Sequence, residues 1–128
     1  IMSLKIKNIL KDIKISSNHI HVNTINSKIE KKIWELIRFS KIIITVEDHN
    51  IINGFGDFIF NVITKFRENQ NIQIFKIGIV NKIINNYGTQ DDLFKLFNLD
   101  ESNLLDRINK ILTKNKNHIF MKSKNQLI

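Results

Sequence analysis

The run Ile42-Ile43-Ile44-Thr45-Val46 constrains this chain more than any other feature. It is too short for a helix and shows no apolar–polar alternation, so the strand it predicts must be covered on both faces. Amphipathic segments stand on either side to supply that cover. Ile6, Ile9, Leu10 and Ile13 recur at helical period among lysines, and Ile29, Ile33, Leu36 and Ile37, with Trp34 at the edge, form a second stripe. Phe58, Ile59, Val62, Ile63 and Phe66 define a third stripe within residues 57–68. A chain of 128 residues is one domain's worth of polypeptide and long enough to bury a real core.

Other segments fill in the order. Ile20 and Val22 alternate with His19, His21 and Asn23, which predicts a half-buried strand over residues 18–25. Ile72, Ile74, Ile77 and Ile79 predict another strand, with Gly78 near its end. Ser27-Lys28-Ile29-Glu30 fits a capping box opening the second helix, and Thr89-Gln90-Asp91-Asp92 opens a short helix by the same logic, carrying Leu93, Leu96 and Phe97 inward. Asn85-Asn86-Tyr87-Gly88 reads as a turn. Asp100 or Ser102 caps a last helix with Leu104, Leu105, Ile108, Ile111 and Leu112, after which residues 113–128 form a basic tail without periodicity. This succession predicts a three-layer α/β/α domain, its sheet mostly parallel but mixed, over residues 1–112.

Composition excludes several classes. There is no cysteine, which removes disulfide scaffolds, zinc ribbons and thiol nucleophiles and suits a reducing compartment. No apolar run approaches the ~20 residues of a membrane span. Lys5, Lys7, Lys11 and Lys14 interrupt any signal-like segment at the start, so a cytoplasmic product is expected, or one of an organelle stroma or matrix. The net charge of +8 invites a polyanion-binding reading, a stand-alone basic module for nucleic acid. Its distribution argues otherwise: residues 1–41 carry +6 and residues 109–128 carry +5, whereas residues 42–108 carry −3. Lysine outnumbers arginine 17 to 3, alanine and proline are absent, and aromatic stacking platforms are missing. A codon-driven, solvated lysine excess accounts for the charge, and nucleic acid is not an expected partner.

Chemistry-bearing residues gather after the first buried strand. Glu47-Asp48-His49 lies at the carboxyl end, where open α/β sheets bind ligands, but neighbours on a strand point to opposite faces and cannot all converge on one atom. The cluster is expected to bond the following loop or to meet a neighbouring subunit. Gly54-Phe55-Gly56 before a helix is half of a phosphate cradle, without the third glycine, which is Ile59, and with Asp57 placed to repel an anion. His19 and His21 could share a metal on one strand face, but no third ligand is nearby.

The stretch Ile43-Ile44-Thr45-Val46-Glu47-Asp48-His49-Asn50-Ile51-Ile52-Asn53-Gly54-Phe55-Gly56 resembles the strand, acidic pair and glycine turn of the transketolase C-terminal domain family. Ile77-Gly78-Ile79 and Tyr87-Gly88-Thr89-Gln90-Asp91-Asp92-Leu93 resemble the closing segment of that domain, in the right order and spacing. The similarity spans about residues 3–112. Asn53 stands where the family has the first glycine of a pair. The resemblance implies the C-terminal domain of a thiamine diphosphate- and Mg2+-dependent transketolase or 1-deoxy-D-xylulose-5-phosphate synthase. On that reading this chain binds neither cofactor and contributes no catalytic, cofactor-binding or metal residue. Its partners would be upstream thiamine-binding domains or a partner subunit, within a homodimer of the complete enzyme. Family-motif or interface candidates are Glu47, Asp48, His49, Asn53, Gly54, Gly56, Gly88, Thr89 and Gln90. The family domain normally opens with a strand that is not seen here, which suggests a fragment or a separate subunit that is inactive alone.

Overall fold

The computed structural model describes residues 2–12, 14–66, 71–80 and 88–115. Helix α1 (Met2–Asp12) buries Ile6 and Leu10, as its stripe predicts. It ends where Lys14 adopts a left-handed φ of 60° and the Ile15 amide reaches back to the Leu10 carbonyl at 2.8 Å.

The expected strand over residues 18–25 does not form: that stretch has no regular secondary structure and is not a strand of the described sheet. The expected alternation holds at Val22 and fails before it. Ile15, Ser17 and His19 are half-buried while Ile20 is exposed, and Val22 turns inward against α2 and α3. The next helix also starts differently. Asn26, rather than Ser27, caps a 3-10 turn (Ser27–Ile29) by accepting the Lys28 amide at 3.0 Å. Helix α2 (Glu30–Ile37) then begins without a side-chain cap, and Glu30 pairs with Lys65 instead of closing a box. Within α2, Ile33, Ile37, Glu30 and Trp34 share one inward arc, and Leu36 lies about 100° from Ile37 on the side away from Trp34. Ile33 and Ile37 are buried, but Leu36 is 52% exposed.

Strand β1 (Ile42–Asn50) is longer than the apolar run that nucleates it and pairs in parallel with β2 (Gln73–Ile79). Among the described residues the sheet has these two strands, so β1 is not buried on both faces throughout: Val46 is 37% exposed. The most deeply buried β1 side chains are the polar ones, Thr45 and Glu47. Between the strands lies α3 (Phe55–Phe66), burying Gly56, Ile59, Val62 and Ile63.

Helices cover both faces, which makes three layers. On one face α2 and α3 enclose Ile43 and Ile74. On the other, α1 and α5 (Glu101–Lys114) pack Leu104 and Ile108 against Ile77 and Ile79. Helix α4 (Gln90–Leu96) has the expected Thr89–Asp92 capping box. It turns Phe94 inward, however, and leaves Leu96 half exposed. Asn98, at φ 54°, ends α4 as Lys14 ends α1, with the Leu99 amide 2.7 Å from the Phe94 carbonyl. Asp100 is the N-cap residue of α5 and accepts from Ser102 and Asn103 side chains. Ile13, residues 67–68 of the expected third helix, residues 85–87 of the expected turn and residues 116–128 of the tail lie outside the described residues.

Candidate functional site

The register of the two strands breaks where the motif residues sit. Val46 pairs with Ile77 and Asn50 with Ile79, so four steps along β1 match two along β2. The surplus is a bulge over Glu47-Asp48-His49, which bends the strand and re-aims its side chains. Gly78 lies beneath the bend. A Cβ there would stand 2.7 Å from Ile51 Cγ2 and 3.1 Å from the carbonyl oxygens of Glu47 and His49, so close backbone approach accounts for this glycine.

Glu47 is directed toward α3 and its side chain is 1% exposed. A carboxylate taken out of water needs donors. Oε1 has two: the Thr45 hydroxyl at 3.0 Å and the Gly56 amide at 2.9 Å. The second belongs to the first turn of α3, where unpaired amides and the helix dipole favour negative charge. The anion at this helix start is therefore the protein's own side chain. Oε2 accepts no hydrogen bond of acceptable geometry, although His49 Nε2 stands 3.1 Å away. The distance is that of an ion pair while the direction is not that of a hydrogen bond.

The glycines before α3 make room for this carboxylate. A Cβ on Gly54 would lie 2.3 Å from Glu47 Oε2 and 2.6 Å from the Asn50 carbonyl; on Gly56 it would lie 2.7 Å from Glu47 Oε1. None of the described glycines has a positive φ. The left-handed position in this turn is Asn53, at φ 58°, a conformation that asparagine tolerates better than most residues. Its amide donates to Asp57 Oδ2 at 2.8 Å, and Asp57 Oδ1 receives Lys76 Nζ at 2.8 Å. Lys76 Nζ also reaches the Ile51 carbonyl at 3.3 Å, tying β2 to the turn. The Lys76 hydrogen bond, and after it the Asn53 amide, hold the Asp57 carboxyl below its ordinary pKa.

Sequence-predicted residues thus fall into three places. Glu47, His49, Asn53, Gly54 and Gly56 come together at the start of α3. Asp48 faces the opposite side of the sheet, where it and Gln90 border an apolar cleft of about 300 Å³ floored by Ile79, Leu93 and Phe97. Gly88 and Thr89 belong to the cap of α4: Thr89 accepts the Asp92 amide at 3.3 Å, its own amide donates to Asp92 at 3.1 Å, and the Thr89 hydroxyl bond holds the Asp92 carboxyl low. Lys76 joins the first cluster without any sequence motif to mark it, and Thr45 and Gly78, quoted above only within longer motif stretches, join it too. A lone lysine inside an isoleucine-rich strand and a lone threonine inside an isoleucine run were the available signals. His19 and His21 form no metal cluster: among the described residues no group of three or more His, Asp or Glu side chains is placed to hold an ion.

Comparison with known proteins places this geometry in context. The chain is 30% identical over 110 residues to the 1-deoxy-D-xylulose-5-phosphate synthase of Clostridium tetani, a match covering 86% of this chain and 17% of that protein. It is 35% identical over 107 residues to a protein of Methanocaldococcus jannaschii named as a transketolase C-terminal section, covering 83% of this chain and 32% of the relative. The chain therefore spans less than a third of either relative's length. No family model and no solved structure matches. No helix among the described residues is long and apolar enough to cross a membrane.

Proposed function

Since the chain belongs to the transketolase C-terminal domain family, we propose that it serves a transketolase-type enzyme, a transketolase or a 1-deoxy-D-xylulose-5-phosphate synthase, through subunit assembly rather than cofactor chemistry. The observation that carries this reading is the Glu47 carboxylate at the start of α3. A diphosphate approaching that helix would find the Gly56 amide taken by Glu47 and the Asn53 amide taken by Asp57. Two carboxylates would also repel it, and the space that the glycines leave is filled by Glu47. These residues do not fit thiamine diphosphate. The cofactor and Mg2+ of such an enzyme belong to its thiamine-binding domains, and this chain provides a folded surface for them and for the second copy of a homodimer, in the cytoplasm or an organelle interior.

Motif residues fit that division of labour. Glu47, Gly54, Gly56 and Lys76 fix the turn rather than face a substrate, while Asp48, His49 and Gln90 remain partly or fully accessible at the sheet's carboxyl edge. Reconstitution tests the proposal. Mixing the 128-residue chain with thiamine-binding domains that lack this region should restore ketol or acyl-carbanion transfer that neither part shows alone. If the chain leaves their activity unchanged and does not bind them, the assembly role is refuted.

A further inference from the structure

Helix α2 carries apolar side chains on its outer side as well as its inner one. Ile33 and Ile37 are buried with the core residues of α3, yet Leu36 is half exposed and Phe39, in the turn that follows, is 80% exposed. The backbone keeps turning past Ile37: the Arg38 amide reaches the Trp34 carbonyl at 2.9 Å and the Ser40 amide reaches the Ile37 carbonyl at 2.8 Å. Lys32, Leu36 and Phe39 therefore follow the i, i+4, i+7 spacing of one face, turned away from the core. Single exposed apolar residues are ordinary on a surface, but two neighbours on an outward face, one of them nearly bare, are not explained by packing inside the chain.

The charges around this pair are mostly positive. The Arg38 guanidinium lies 4.4 Å from the centroid of the Phe39 ring. Arg38 is one of three arginines in a chain with 17 lysines, so the lysine excess does not account for it. A guanidinium laid on a ring face keeps its N–H edge outward, in the fork that binds a carboxylate through two hydrogen bonds. Lys31 and Lys32 are exposed beside it, with Glu35 the acidic residue of that arc, since Glu30 is paired with Lys65. A second copy would bring the same positive excess and be repelled. An acidic surface would be attracted.

The patch also has a definite place in the sheet. Ile42 opens β1 directly after this turn, and the Gln73 amide at the start of β2 reaches the Lys41 carbonyl at 3.0 Å. Leu36, Arg38 and Phe39 thus stand toward the amino edge, away from the Glu47–Gly56 turn. The cleft at the carboxyl edge is bordered by Asp48, which would repel the same acidic partner.

We propose that Leu36, Arg38 and Phe39 form the contact by which this chain holds the thiamine-binding domains, and that the surface they meet combines an apolar patch with an aspartate or glutamate. This rests on the assembly reading and names the face that it leaves open. Phe39 supplies apolar area to be withdrawn from water on docking, Leu36 widens it, and Arg38, already laid over the ring, presents its fork at low entropic cost.

Calorimetry of the 128-residue chain with thiamine-binding domains that lack this region, at low and high salt, tests the face. Phe39→Ser should weaken binding about 10–100-fold and leave the urea midpoint of the chain unchanged, because the ring is largely in solvent. Arg38→Gln should weaken it about 5–10-fold and remove much of its salt dependence. Val80→Ser, at an exposed site just past the carboxyl end of β2, should bind as the native chain does. Native affinity in Phe39→Ser overturns the proposal and leaves the assembly reading standing, whereas a native chain that does not bind at all removes both. Weaker binding in Val80→Ser but not in Phe39→Ser overturns it by moving the contact to the carboxyl edge. So does a chain that sediments as a dimer by itself and as a monomer after Phe39→Ser, since the face would then belong to a second copy.

Discussion

Replacing Gly56 with alanine sets two effects of opposite sign against each other. Gly56 is buried in the first turn of α3, and alanine is favoured over glycine in a helix interior by about 1 kcal/mol, less near an end. Propensity alone therefore predicts a small gain. Against it, the new Cβ would lie 2.7 Å from Glu47 Oε1 and 2.4 and 2.5 Å from Cδ and Cγ of Lys76. The Lys76 stem can bend, although its ammonium is held by Asp57. Glu47 can retreat only by giving up the Thr45 hydroxyl and the Gly56 amide, at 3.0 and 2.9 Å. A hydrogen bond to a charged group contributes about 1.5–3 kcal/mol and overpacking costs about 1–3 kcal/mol, so the variant should be destabilised by about 2–3 kcal/mol net. Urea unfolding followed by circular dichroism should show a lower midpoint with an unchanged slope. The second half of the cycle isolates the cause: in a Glu47→Ala background the same substitution should cost about 2 kcal/mol less, because the obstacle is gone. A midpoint that rises for Gly56→Ala in the native background would refute the claim that the glycine is there for the carboxylate.

Asn53 should tolerate glycine within a few tenths of a kcal/mol, whereas Asn53→Ala, forced to a φ of 58°, should lose about 1 kcal/mol in the same urea assay; equal midpoints would contradict the left-handed turn. Ile37→Ala should cost about 2–4 kcal/mol and Leu36→Ala under about 0.5 kcal/mol, and the reverse order would restore the stripe expected from the sequence. Acid should weaken the fold through Asp57, Asp92 and Asp100, held low first by Lys76, by the Thr89 hydroxyl and by the Ser102 hydroxyl respectively. Their folded-state affinity for protons is below that of the unfolded chain, so this stability is fully present above about pH 4 and declines as pH falls through the lowered values. Thermal melts that stay flat or improve on acidification below about pH 4 would contradict these pairings.

Long stripes and caps were legible in the sequence because they depend on local periods. The stripes of α1, α3 and α5, the Thr89 box and strands β1 and β2 all follow from residue spacing. The misreadings arise where tertiary context decides. Residues 18–25 alternate as a strand would, but alternation specifies faces and not a pairing partner, and here only Val22 keeps the expected face while His19 and Ile20 exchange theirs. Leu36 sits at the edge of its stripe, and period alone does not say which edge the neighbouring helix covers: the packed side is that of Trp34. Glu47 followed an apolar run and read as a residue at the strand's end; in the fold it is among the most buried side chains of β1. The glycines were visible as a motif, yet what they make room for lies across the sheet-to-helix gap and is not local in sequence.

Sedimentation velocity of the chain with the thiamine-binding domains of a transketolase-type enzyme, at micromolar concentrations, tests the assembly role most directly. The account predicts one faster boundary containing both components at a fixed ratio, unaffected by added thiamine diphosphate. Two independent boundaries, together with saturable binding of thiamine diphosphate to this chain alone, would contradict it.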